Sequence, residues 1–224
     1  NCNKKIKYVI CLTILFKKLL FKKEKILIFA FQANIYAIII SKLFNTKVIT
    51  RSNTSILGWS KNKTMLFFYR FFLKLADDII VNSKLFQKEF FKILNIRAKY
   101  IYNPFDKNEI KKKISKQKKL YFFKKDTLNL LSVGRLTDQK DQLTLLKSMT
   151  LVDIKLKPRL LIIGKGKNFY ALEKYVRDQD MQKYIKFIGY LKNPYQYIKK
   201  TKILILTSKF EGLPNILIEA QFFK

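Results

Sequence analysis

Short apolar runs alternate with amphipathic segments along this chain, and the alternation occurs in two series. No other feature constrains the fold as tightly. An apolar run of four to eight residues, bounded by turns and followed by helical spacing, marks a buried strand and its crossover helix. The first series predicts a helix over 6–22, a strand over 25–31, a helix over 33–44 and a strand over 47–50. It continues with a helix over 62–76, a strand over 77–82, a helix over 83–94 capped by Ser83, and a strand over 98–103. The second series predicts strands over 128–134, 159–164, 186–189 and 202–208, with helices over 142–149, 169–178, 193–200 and 214–223. Parallel βαβ units, Rossmann-like in each half, are the expected architecture. No repeat of 20–50 residues is visible, which argues against a solenoid.

Pro104 ends the first series, and the run KKKISKQKK (111–119) follows almost without acid. The expected division is 1–104 for a first domain, 105–126 for a basic linker and 127–224 for a second domain. The linker reads as a solvated helix, with a basic rim facing anionic lipid as the functional alternative. The chain starts at Asn1 without Met and stops in EAQFFK, inside an apolar helical pattern with no cap. It therefore reads as a fragment of a longer protein, with both domains incomplete.

The net charge is +32, from 47 Lys and Arg against 15 Asp and Glu. Only six of the basic residues are Arg, the side chain suited to bidentate contacts with bases and phosphates. Lys, Ile, Phe, Asn and Tyr, all abundant here, share AT-rich codons. The charge is read as Lys enrichment with a mild preference for a membrane surface, not as a nucleic-acid footprint. Zero His excludes a His-ligated metal, a Ser-His dyad and a His base. Cys2 and Cys11 alone make neither a disulfide framework nor a zinc cluster, and a reducing, cytoplasmic compartment is the natural reading. The uncharged stretch ILIFAFQANIYAIII (26–40) is shorter than the roughly 20 residues of a spanning helix.

Five of the six glycines lie in the second half. Gly134, Gly164 and Gly189 end apolar strands, Gly166 follows Gly164 by two, and Gly212 lies four past Ser208. Ligands of open parallel sheets bind outside the carboxyl ends of the strands, where glycine lets the backbone approach them closely. Arg135 and Lys140 flank the first strand-to-helix turn there, an arrangement suited to phosphate or diphosphate. The pattern is neither a Walker A loop nor GxGxxG. Glu211 and Glu219 stand with seven residues between them in SKFEGLPNILIEA (208–220), with Pro214 suited to a first helical turn. Glu211 falls in the loop, placed to accept from sugar hydroxyls. Glu219 falls a turn and a half into the helix among Ile216, Leu217, Ile218 and Ala220, as a partly buried carboxylate that needs a partner.

VGRLTDQK, LLIIGKG, FIGY and above all TSKFEGLPNILIEA resemble the retaining, nucleotide-sugar-dependent glycosyltransferases of family four, which have the GT-B fold. LADDIIVNS (75–83) and AKYIYNPFD (98–106) resemble the last stretches of that family's N-terminal domain. The resemblance implies α/β architecture with two Rossmann-like domains, their parallel sheets facing a cleft. It implies an acceptor side in 1–104 and a nucleotide-sugar donor side in 127–224. Arg135 and Lys140 match the pair that binds the donor diphosphate and stabilises the departing nucleotide. Glu211 matches the glutamate that contacts the donor sugar, and Glu219 the one that contacts the ribose. Gly212, Leu213 and Pro214 match a loop whose amides meet sugar or phosphate, and Ile188 to Leu191, with Gly189 and Tyr190, fall where the base is held.

The resemblance further implies a UDP- or GDP-linked donor as substrate, no cofactor and no metal. It implies transfer with retention to a glycan or lipid-linked acceptor in cell-surface polysaccharide synthesis, at the cytoplasm or the inner membrane face. The family's His near the donor sugar is missing; that region reads TRSNTS (50–55), with Arg51 or Asn53 as candidate substitutes. The N-terminal Gly-rich acceptor loop and the G-x-P segment after the second glutamate are also missing. A nucleotide-sugar epimerase of the same fold, an inactive fragment and a basic polyanion-binding protein are the competing readings.

Overall fold

The computed structural model describes residues 4–21, 24–31, 33–56, 62–114 and 122–223. Cys2, residue 22 of the first expected helix and residues 115–121 of the expected linker lie outside the described residues. The chain forms two compact units, Asn1–Asn103 and Pro104–Lys224.

The first unit runs α1 (Lys4–Leu20), β1 (Leu27–Ala30), α2 (Asn34–Leu43), β2 (Lys47–Ser52), α3 (Lys63–Lys74), β3 (Asp78–Val81), α4 (Lys84–Leu94) and β4 (Lys99–Tyr100). Its strands are parallel in the order β1-β2-β3-β4. The sheet's Ile28, Ala30, Val48, Ile79 and Val81 bury against Ile38, Leu73, Phe86 and Phe90 from the helices. Burying a Phe side chain contributes about 2–3 kcal/mol, so Phe86 and Phe90 anchor α4 on the sheet. The Ser83 hydroxyl accepts from the Phe86 N–H and caps α4, a contact worth about 1 kcal/mol. The Asp77 carboxylate accepts from the Val48 N–H at 2.8 Å and from Lys42 at 3.2 Å, which ties the start of β3 to β2.

The second unit runs α5 (Lys107–Ile114), β5 (Leu128–Val133), α6 (Gln142–Met149), β6 (Pro158–Ile163), α7 (Phe169–Asp178), β7 (Ile185–Phe187), α8 (Tyr195–Lys200), β8 (Ile203–Leu204) and α9 (Asn215–Gln221). A short 3-10 turn over Ile154–Leu156 precedes β6. The strands are parallel in the order β7-β6-β5-β8. Successive side chains of a strand point to opposite faces, and here both faces are covered. Leu130, Leu160 and Ile162 bury against α6 and α7, while Leu131, Leu161 and Ile163 bury with Ile110 of α5 and Tyr195 and Ile198 of α8.

Part of the segment expected as a linker belongs to this second unit. Asp106 accepts from the Asn108 and Glu109 amides and starts α5. Ile110 is buried, and the Asn193 amide donates to the Lys113 carbonyl at 2.7 Å. An apolar stripe hidden among lysines, not the charge run itself, decides the placement of α5. Strands β4 and β8 are two residues long, shorter than their apolar runs, because each lies at a sheet edge with one neighbour to pair with.

Candidate donor-binding site

The strand order of the second unit fixes where a site is built. The chain leaves β5 toward β6 on one side and returns to β8 on the other, so the order reverses between β5 and β8. Loops at the carboxyl ends of such strands diverge and leave a crevice. The β5–α6 loop carries Gly134, Arg135 and Lys140, and the β8–α9 loop carries Glu211, Gly212, Leu213 and Pro214. Across this junction the Lys140 ammonium and the Glu211 carboxylate form an ion pair, both side chains largely shielded from solvent.

Backbone and side-chain bonds staple the two loops together. The Lys209 N–H donates to the Gln139 carbonyl at 2.8 Å, and Gln139 Nε2 donates to the Phe210 carbonyl at 3.1 Å. The Thr207 hydroxyl bonds the carbonyls of Lys140 at 3.1 Å and Asp141 at 2.9 Å. Gln142 Nε2 donates to the Arg135 carbonyl at 2.9 Å and holds the near end of the same loop. Arg135 itself is exposed, and no ion pair among the described residues involves it. Three buried polar atoms around this rim, Thr137 Oγ1, Gln142 Oε1 and Ser208 Oγ, have no hydrogen-bond partner among the described residues. Buried polar atoms are ordinarily paired.

The glycines lie in register along the rim. The Gly134 N–H donates to the Ile163 carbonyl and the Gly164 N–H to the Gly189 carbonyl, which draws the ends of β5, β6 and β7 together. A Cβ at Gly164 would stand 1.8 Å from the Gly134 carbonyl oxygen, and one at Gly166 would stand 2.1 Å from that of Leu136. Close backbone packing, then, requires these two glycines. Asp138 accepts from the Asn168 amide at 2.8 Å and pairs with Lys167, so the GKG turn is tied to the β5–α6 loop. Lys167, with Asn168, holds the Asp138 carboxyl below its usual range. Tyr190, two residues past Ile188, is exposed beside Gly189.

Glu219 takes a different place. It sits on α9, half-buried, and its hydrogen bond is with the Tyr195 hydroxyl of α8. Burial pushes the Glu219 carboxyl up, opposed by that hydrogen bond and by Lys113 of α5. Burial, followed by the charge of Glu219, raises Tyr195 in turn. The expected partner exists, but it belongs to the α5–α8–α9 packing and not to the Lys140–Glu211 pair.

In the first unit Arg51 and Asn53 lie together at the end of β2. Arg51 Nε donates to Asn53 Oδ1 at 3.2 Å, and Arg51 Nη2 donates to Asn103 Oδ1 at 2.8 Å and to the Ile101 carbonyl at 3.2 Å. Sequence reasoning missed Gln139, Thr207, Asp138, Asn168, Tyr195 and Lys113. Each acts through a partner 24 to 106 positions away, on another loop or helix, and no local pattern marks it.

The model of a family described as glycosyl transferases group 1 matches residues 106–224. Over 204 residues the chain is 29% identical to an uncharacterized glycosyltransferase of Methanocaldococcus jannaschii, covering 82% of this chain and 48% of that protein. It is 29% identical over 197 residues to the N-acetylgalactosamine-N,N'-diacetylbacillosaminyl-diphospho-undecaprenol 4-alpha-N-acetylgalactosaminyltransferase of Campylobacter jejuni, covering 83% and 52%. The chain thus spans about half the length of the curated relatives it matches. Among solved structures, Anabaena HepE in complex with UDP and glucose superposes with a TM-score of 0.72 at 16% identity, over 96% of this chain and 60% of that one. TarM superposes with a TM-score of 0.68 at 19% identity, over 95% and 42%. These structural likenesses show the fold, GT-B.

Proposed function

Since the chain belongs to the glycosyl transferases group 1 family, we propose that the protein moves a sugar from a nucleotide-sugar donor to an acceptor with retention of anomeric configuration. The observation that carries this reading is the Lys140–Glu211 pair at the strand-order reversal of the second unit. The reading assigns Arg135 and Lys140 to the donor diphosphate. Cations there stabilise the charge that develops on the leaving nucleotide, an electrostatic contribution made without proton transfer. Glu211 holds the Lys140 ammonium in place and offers its remaining lone pairs to sugar hydroxyls. The backbone of Gly212 to Pro214 and the unpaired Thr137, Gln142 and Ser208 atoms supply further polar contacts. The base lies along Gly189 and Tyr190.

The donor is UDP- or GDP-linked, and HepE bound to UDP and glucose supports the first of these. The acceptor is a glycan or a lipid-linked glycan. The diphospho-undecaprenol in the Campylobacter relative's name and the capsular polysaccharide synthesis in the name of a Staphylococcus aureus relative support this, and with it cell-surface polysaccharide synthesis. Buried oxygens of Asn34, Thr50 and Asn82, without a hydrogen-bond partner among the described residues and lying in or just past the first unit's strands, support a polar acceptor there. The reaction needs no metal, and the protein works in the cytoplasm, peripherally at the inner face of the membrane. No helix among the described residues is long and apolar enough to cross a membrane.

A donor screen with the intact gene product, read by release of UDP or GDP, tests the reading. Acceptor-dependent release that persists in EDTA is the expected result. Full activity in the Arg135→Ala, Lys140→Ala double variant would contradict it.

A further inference from the structure

The helix layer of the first unit carries an outward face that the reaction does not explain. Helix α3 packs between α2 and α4 and turns Leu66, Tyr69 and Leu73 into the core. Its opposite face presents Phe67, Phe68 and Phe71, which are 65%, 51% and 54% exposed. Positions 67, 68 and 71 share one helical face, so the three rings form one aromatic stripe. A single exposed apolar side chain is ordinary, but a contiguous stripe of three rings marks a surface with a partner.

The surrounding charge identifies the partner's chemistry. Exposed lysines, Lys63 and Lys74, flank the stripe at the two ends of α3, and Lys88 and Lys92 are exposed on the neighbouring α4. Helices α2, α3 and α4 together hold seven basic residues (Lys42, Lys63, Arg70, Lys74, Lys84, Lys88, Lys92) and one carboxylate, Glu89. Glu89 accepts from the Ser55 hydroxyl. Aromatic rings that enter the acyl boundary, with lysines at headgroup level, suit an anionic lipid surface. A protein partner would have to cover both the rings and the lysines around them, of which Lys42 pairs with Asp77.

We propose that the outer face of α3, with Phe67, Phe68 and Phe71 inserted and the α3 and α4 lysines around them, docks the protein on an anionic phospholipid bilayer. This deepens the peripheral placement proposed above by naming the surface. The test uses the intact gene product and sedimentation with vesicles of phosphatidylcholine alone or with phosphatidylglycerol at about one third. Wild-type protein is expected to bind the phosphatidylglycerol vesicles at least tenfold better. The F67S/F68S/F71S variant should lose at least tenfold of that binding, with its thermal melt unchanged. K63E/K74E, which leaves the rings alone, should lose severalfold and gives the answer if the triple variant misfolds. Equal binding to both vesicle types overturns the proposal. So does undiminished binding by folded variants, or a triple substitution that changes the oligomeric state or the melt while vesicle binding stays intact. Donor turnover on a water-soluble acceptor without vesicles is measured in parallel. Its loss in wild type would count against the transferase reading, not against docking.

Discussion

Lys140 and Glu211 are 71 positions apart and meet because two loops leave neighbouring parallel strands at the same rim. Lys140→Met removes the cation proposed for the diphosphate and leaves Glu211 shielded without its partner. Donor turnover is expected to fall by about 10²-fold or more, read as nucleotide release. Glu211→Gln keeps the shape and lowers turnover while the melt holds. Gly164→Ala answers to a different force. Its methyl would overlap the Gly134 carbonyl at 1.8 Å, so the loop must move or the fold weakens by about 2–4 kcal/mol, checked by denaturant unfolding. Glu219 adds a pH signature. Burial raises its pKa, so the folded state holds a proton more tightly than the unfolded chain. Stability therefore falls as pH rises from the ordinary carboxylate value through the folded one, and the loss persists at neutral pH. In Glu219→Gln, which still accepts from Tyr195, that fall should vanish from a series of melts between pH 4 and 7.

At the scale of elements, most of the architecture was legible in the sequence. Helices α6 and α7 occupy the expected spans of 142–149 and 169–178, because each has a clear apolar stripe between turn residues. Ser83 caps α4 as its position implied. The expected ends of β4 and β8 were too long, since an apolar run does not reveal how many neighbours its strand has. Helix α5 was hidden inside a lysine run whose two apolar residues, Ile110 and Ile114, look incidental until the second unit covers them. Within the site, the glycines, Lys140 and Glu211 were each picked out by motif spacing, but the pairing of Lys140 with Glu211 was not. The staple of Thr207, Gln139 and Lys209 did not, because hydrogen bonds between distant loops leave no periodic trace. Thr207→Val removes the hydroxyl from two carbonyls and should cost about 1 kcal/mol or somewhat more. If the staple positions Lys140, KM for the donor should rise more than kcat falls, and Thr207→Ser should restore both.

The whole chain separates two kinds of information that its charge first blurred together. The +32 balance suggested a polyanion, yet in the second unit the candidate site is marked by rare residues: glycines, Arg135 and a glutamate paired to a lysine. In the first unit the lysines matter where they border an exposed aromatic stripe. The measurement that tests the central claim most directly is nucleotide release by the intact protein from UDP- and GDP-sugars. Wild type is compared with Arg135→Ala, Lys140→Ala, and the anomeric configuration of the product is read by NMR. The account expects acceptor-dependent release with a retained anomer in wild type, and at least 10²-fold less in the double variant, folded as judged by its melt. Undiminished release by that variant, or an inverted product, would contradict it.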